Sequence, residues 1–132
     1  MWKKYSELNK YKYDFIVKYR FYSLEEGGRK TLPRQGYRCD FLYENEDPQK
    51  DGIYAIYPEF LDEKNKIIED TSKSVDNIGK ALMWIMNPEL RHTVHVDKIK
   101  VGTKGYFVEG AHKIAEVEVV SIDYIIENLQ IK

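Results

Sequence analysis

Hydrophobic and polar positions alternate through much of this chain. Over residues 13–24, Tyr13, Phe15, Val17, Tyr19 and Phe21 fall on one side, while Asp14, Lys18 and Arg20 fall on the other. That period of two predicts a half-buried strand. Residues 25–30 interrupt it with Gly27 and Gly28, residues able to take the positive φ of a tight turn. Alternation resumes at residues 37–43, where Tyr37, Cys39, Phe41 and Tyr43 share a face, so Cys39 reads as a small core residue and not as a nucleophile. Residues 45–52 are loop by composition, and residues 52–57 form a short strand that Pro58 ends. Ile67 and Ile68 sit in a charged, weakly patterned stretch.

Residues 76–86 are ambiguous. Ile78, Ala81, Leu82 and Ile85 match a helical stripe, whereas Ile78, Lys80, Leu82, Trp84 and Met86 match a strand. Asn87-Pro88 stops the element in either case. Residues 93–101, 105–108 and 114–122 are rich in β-branched side chains and bounded by Gly102, Gly105 and Gly110, which predicts three more strands. Many short strands with glycine turns indicate an all-β barrel or sandwich. Residues 1–12 are set apart as an N-terminal segment, readable as strand, short helix or ordered arm, ahead of a β-barrel domain spanning 13–132.

Composition narrows the class. At 132 residues, with 33% charged and 42% hydrophobic positions, the chain suits one domain with a real core, not a disordered, collagen-like or membrane-spanning protein. No apolar run approaches the ~20 residues of a spanning helix, and the basic start lacks the apolar stretch of a secretory signal. A single cysteine excludes an internal disulfide and suits the cytoplasm. The net charge of −1 conceals an asymmetry: residues 1–38 hold ten Lys/Arg against four acids, and the remainder holds eleven against eighteen. The basic third is also aromatic, with Tyr5, Tyr11, Tyr13, Phe15, Tyr19, Phe21, Tyr22 and Tyr37 among its cations. Such a mixture suits a polyanion, because cations meet phosphates while rings stack on bases. The same rings equally fill a barrel core, with the cations as its solvated face.

Motifs for chemistry are sparse. The sequence has no Gly-x-x-x-x-Gly-Lys-Ser/Thr loop, so no GTPase or ATPase activity is expected, and it has neither a Gly-x-Gly-x-x-Gly turn nor a Gly-x-Ser-x-Gly elbow. His92, His95 and Asp97 would converge on a metal only if the backbone there were bent or helical. Glu25-Glu26, Glu69-Asp70 and the pair Glu116/Glu118 have no matched base or nucleophile. No catalytic residue, cofactor or metal is therefore assigned.

A family resemblance adds to this. Residues 25–33, Glu-Glu-Gly-Gly-Arg-Lys-Thr-Leu-Pro, followed by Gly36-Tyr37-Arg38-Cys39-Asp40-Phe41, resemble the opening hairpin of the C-terminal β-barrel of translation elongation factor Tu. In that family a strand runs into Glu-Gly-Gly-Arg-His-Thr and, after a short loop, Tyr-Arg-Pro-x-Phe. Residues 105–115, Gly-Tyr-Phe-Val-Glu-Gly-Ala-His-Lys-Ile-Ala, are similar to the family's late Arg-Glu-Gly-Gly-Arg-Thr-Val-Gly region. The likeness spans roughly residues 13–122 and implies strand for residues 78–86. In the family this barrel helps hold aminoacyl-tRNA and meets protein partners, while the GTPase domain and a second barrel lie ahead of it.

Carried over, Arg29, Lys30 and Thr31 match Arg-His-Thr, and Gly110 matches the first late glycine. Ala111 replaces the second glycine, and His112 replaces the arginine. The expectation is a non-catalytic binding module whose ligand meets Arg29, Lys30, Thr31, Arg34, Arg38, Gly110, His112 and Lys113. Its first candidate partner is tRNA or another structured RNA, held through backbone phosphates. The second is a protein, which the acidic remainder suits. Oligomeric state is left open.

Overall fold

The computed structural model describes residues 2–50 and 52–130. Met1 of the predicted arm, Asp51 of the predicted loop, and Ile131 and Lys132 of the predicted barrel domain lie outside it. The strongest alternation becomes β1, Phe15–Phe21, whose residues are buried at every second position. The shorter β2 is Asp40–Tyr43 and β3 is Ile56–Leu61. The ambiguous stretch forms β4, Ile78–Ile85, so the strand reading holds there. A turn then separates β5, Lys104–Glu109, from β6, His112–Ser121.

These strands make one antiparallel sheet in the order β2-β5-β6-β1-β4-β3, curled into a half-barrel. Register fixes its inner face: Phe15 opposes Met83, Val17 lies between Ala81 and Val119, Tyr19 meets Val117, and Phe41 meets Phe107. Tyr19, Phe21, Phe60 and Phe107 pack with ring centroids 5.2 to 6.2 Å apart, which, with Phe15, places three of the basic third's eight rings in the core. Each such buried ring contributes about 1.5–3 kcal/mol of transfer free energy. Cys39 lies in this core, and burial pushes its thiol above its ordinary range.

Both sheet edges are managed. Phe41 and Tyr54 exchange two backbone hydrogen bonds of 2.9 Å, which joins β2 to the approach of β3. The Gln35 amide mimics a neighbouring strand, donating to Phe60 O at 2.9 Å and accepting from Phe60 N at 2.8 Å. Pro58 does not end the strand as expected but sits within β3, opposite Met83. Its nitrogen points the same way as that of Phe60, toward the free edge, where a missing N–H costs no ladder bond.

Two other expectations are corrected. Residues 25–30 do not turn β1 back on β2, because β1 pairs with β4 and β6 while β2 pairs with β5. The stretch expected as a strand at residues 93–101 is helical: α2 is Pro88–Leu90, a π turn runs through Arg91–His95, and α3 is Val96–Lys98. Asn87 caps its start by accepting from Leu90 N at 3.1 Å, and Pro88 occupies the first turn.

The arm crosses the outer face of β3 and β4 as a strap with one helical turn, α1, Tyr5–Leu8. Tyr5 and Tyr11 lie 5.7 and 5.8 Å from the Trp84 ring. Glu59, fully buried beneath, accepts from Tyr5 N at 2.8 Å and from Trp84 Nε1 at 3.3 Å; burial pushes its carboxyl up. A second buried cluster holds both ends of the domain. Asp14 accepts from Arg91 Nε at 2.8 Å, Ile85 N at 2.8 Å and Asn128 Nδ2 at 3.0 Å, while Arg91 also donates to Ile85 O and covers the Tyr11 ring.

Candidate functional site

Two distant motifs meet at one end of the sheet. After β1, the Ser23 carbonyl accepts from Glu26 N at 3.0 Å and from Gly28 N at 2.8 Å, folding residues 23–28 into a tight loop. Glu26 completes a reciprocal cap: its carboxylate accepts from Ser23 N at 2.9 Å while Ser23 Oγ accepts from Glu26 N at 3.2 Å. Gly27 has φ +91°, and a Cβ on Gly28 would stand 2.1 Å from Tyr22 O. The loop's own geometry therefore demands both glycines. On the other side, Gly110, with φ +60°, and Ala111 turn β5 into β6.

The halves are joined by named contacts. The His112 imidazole hydrogen-bonds the Gly27 carbonyl through Nε2. Arg29 Nε pairs with Glu109 Oε2 at 3.0 Å, its guanidinium lies 4.7 Å from the Tyr37 ring centroid, and Tyr37 donates its hydroxyl to the same Glu109. Burial, followed by that carboxylate, pushes the Tyr37 phenol above its ordinary range. Arg29 Nη1 is closed from solvent and makes no hydrogen bond among the described residues.

Lys30 and Thr31 line an adjoining depression of about 310 Å³ with Arg20, Glu26 and Asn77. Arg20 there bridges Glu26 and Glu116, at 2.9 Å each, and its hydrogen bond holds the Glu26 carboxyl down at about 2. Lys113 lies over Tyr106 at 4.3 Å. The other expected residues stand apart: Arg34 bridges to Ser74, and Arg38 lies over Tyr57, 5.4 Å from its centroid. Arg29, Gly110 and His112 thus form one surface, Lys30, Thr31 and Lys113 flank it, and the Arg34 and Arg38 side chains share none of its ion pairs or ring contacts among the described residues, although the Arg34 carbonyl accepts from Tyr37 N at 3.1 Å.

Sequence reasoning did not assign Glu109, Tyr37, Arg20, Glu26 or Glu116 to this surface. Glu109 stood inside the late motif, and that membership was the available signal. Arg20 and Glu116 are cross-strand partners, a relation that exists only once β1 and β6 are in register. Charge is balanced here, since Glu25, Glu26, Glu109 and Glu116 stand among Arg20, Arg29, Lys30 and Lys113. The histidines of the metal reading are separated by environment: His92 is exposed, while His95 is buried and shares a 2.6 Å hydrogen bond with Tyr43 Oη through Nδ1. Among the described residues no group of three metal-ligating side chains gathers, and no helix is long and apolar enough to cross a membrane.

No protein-family model matches the chain, and no curated protein matches its sequence.

Proposed function

We propose that the protein is a non-catalytic binding module of the cytoplasm, a barrel similar to the C-terminal domain of elongation factor Tu, and that its partner is a protein. The reading rests on the charge balance of the surface that unites residues 27–31 with residues 109–113. A phosphate backbone gains affinity by replacing counterions with unpaired cations. Here Arg29 is neutralised by Glu109, Arg20 by Glu26 and Glu116, and Lys113 is committed to a ring. A protein surface of alternating charge satisfies both signs. Four of the eight rings that suggested RNA, Tyr5, Phe15, Tyr19 and Phe21, are buried inside the fold.

Affinity capture from nuclease-treated lysate tests the reading. A specific protein should be retained by the parent chain and lost with His112→Glu or Lys30→Glu, while tRNA gel shifts show no binding at physiological salt. The opposite result, tRNA binding that falls steeply with salt and whose slope is flattened by Arg29→Ala with Lys30→Ala, replaces the protein partner with RNA.

A further inference from the structure

A broad concavity lies at the other end of β1, on the outer face of the sheet. It measures about 830 Å³, within the range of ligand sites. Its floor is aliphatic: Ile16, Leu61, Leu82 and Val120 are contributed by four different strands, and Ile67 closes it from the loop after β3. Lys66 and Lys80 stand at its rim.

Cross-strand register gives the rim its charge. Lys104 opposes Glu118, Glu118 opposes Lys18, and Lys18 opposes Lys80, which itself faces Leu61. Lys18 approaches Glu118 at 3.9 Å, so the row ends on a second lysine with no acid beside it. Like charges directly opposite one another destabilise a sheet unless an anion is supplied. Lys66 and Lys80 form no ion pair among the described residues; the lining acid Glu69 is taken by Lys4 at 2.7 Å, and Asp62 is tied to the N–H groups of Lys64 and Lys66. The positive surplus is small, which suits one negative charge and not a polyanion, for Asp123 and Glu118 lie close by and would repel a phosphate chain.

The geometry points to a site for a single-chain amphiphilic anion, a fatty-acid-like alkyl carboxylate. Its tail lies on Ile16, Leu82, Leu61 and Val120, and its carboxylate is met by Lys80 and Lys66. Burying alkyl carbons against that floor supplies the affinity, and the lysines fix the orientation. The site is separate from the charge-balanced surface at the far end of β1 and stands whatever that surface binds.

The test is an NMR titration of the ¹⁵N-labelled chain with dodecanoate below its micelle concentration, with dodecanol, acetate and a uridine 12-mer as comparisons. Saturable shifts centred on the amides of Ile16, Leu82 and Val120 are expected from dodecanoate, with acetate silent and dodecanol weaker. Lys66→Ala with Lys80→Ala should weaken dodecanoate about tenfold, and Lys80→Glu further, with a thermal melt no lower than the parent's, because both side chains are exposed and Lys80 faces Lys18. The proposal is overturned by an unshifted floor, by dodecanol binding as tightly as dodecanoate, or by lysine variants that leave dodecanoate affinity intact. It is equally overturned if the floor amides shift on concentrating the protein alone, which would make the occupant a second copy, or if the 12-mer binds there more tightly than dodecanoate.

Discussion

Gly28 and Gly110 show how differently a glycine can be required. A Cβ at Gly28 would meet backbone, the Tyr22 carbonyl, at a distance no repacking relieves, whereas at Gly110 nothing lies within 4 Å and only the φ of +60° resists substitution. Gly110→Ala should therefore cost about 1 kcal/mol. Gly28→Ala should cost about 3 kcal/mol or more and also weaken the His112 contact with Gly27, since the loop must open. Urea unfolding of the two variants checks the ranking; equal losses would mean that the loop has room it does not show. The glycine pair was legible in the sequence as a turn, but which glycine is dictated by torsion and which by crowding was not, because crowding comes from Tyr22.

The helical segment at residues 88–98 is where local reading and element diverged. Thr93, Val94 and Val96 favour strands by their branched Cβ atoms, yet Asn87, Pro88 and Glu89 form a good helix start. Packing settles the contest by burying Arg91, His95 and Ile99 against the barrel. His95 faces Tyr43, Tyr54, Arg91 and Lys98; burial first, then the two cations, holds its pKa down at about 4. A base whose folded pKa lies below its unfolded value of about 6.5 takes up its proton first in the unfolded chain. Stability should therefore be unaffected by this group above about pH 6.5 and fall as pH drops toward 4, by up to about 3 kcal/mol. His95→Gln keeps a hydrogen-bonding partner for Tyr43 without titrating, so the difference between parent and variant should shrink as pH falls from 7.5 to 4.5 in urea unfolding. Parallel pH profiles would show that His95 is protonated in the fold.

Across the whole molecule, the Asp14–Arg91 pair ties the start of β1, the end of β4, the helical segment and the last turn at Asn128 into one buried cluster. Both charges are essentially inaccessible, at 0% and 1% exposure, so removing one leaves the other uncompensated. Arg91→Met should cost about 3–5 kcal/mol, and adding Asp14→Leu should restore part of that loss. Additive losses in thermal or urea unfolding would mean that the charges are not coupled. The charge asymmetry of the sequence also takes on a new meaning at this scale. The basic third is distributed over the strap, β1 and the loop beyond it, where acids from β5 and β6 meet Arg20 and Arg29.

Period-two alternation at residues 13–24 and 37–43, together with β-branched runs punctuated by glycine, was enough to determine the all-β character, the cores of β1, β5 and β6, and the burial of Cys39, because these depend on local propensity and on which face each residue presents. Pairing order, the neutralisation of Arg29 by Glu109, the clamp through Arg91 and the aliphatic groove under Lys80 were decided only by the tertiary structure. Each joins residues tens of positions apart, and a chain's local pattern carries its faces but not the identity of the strand that will lie beside it.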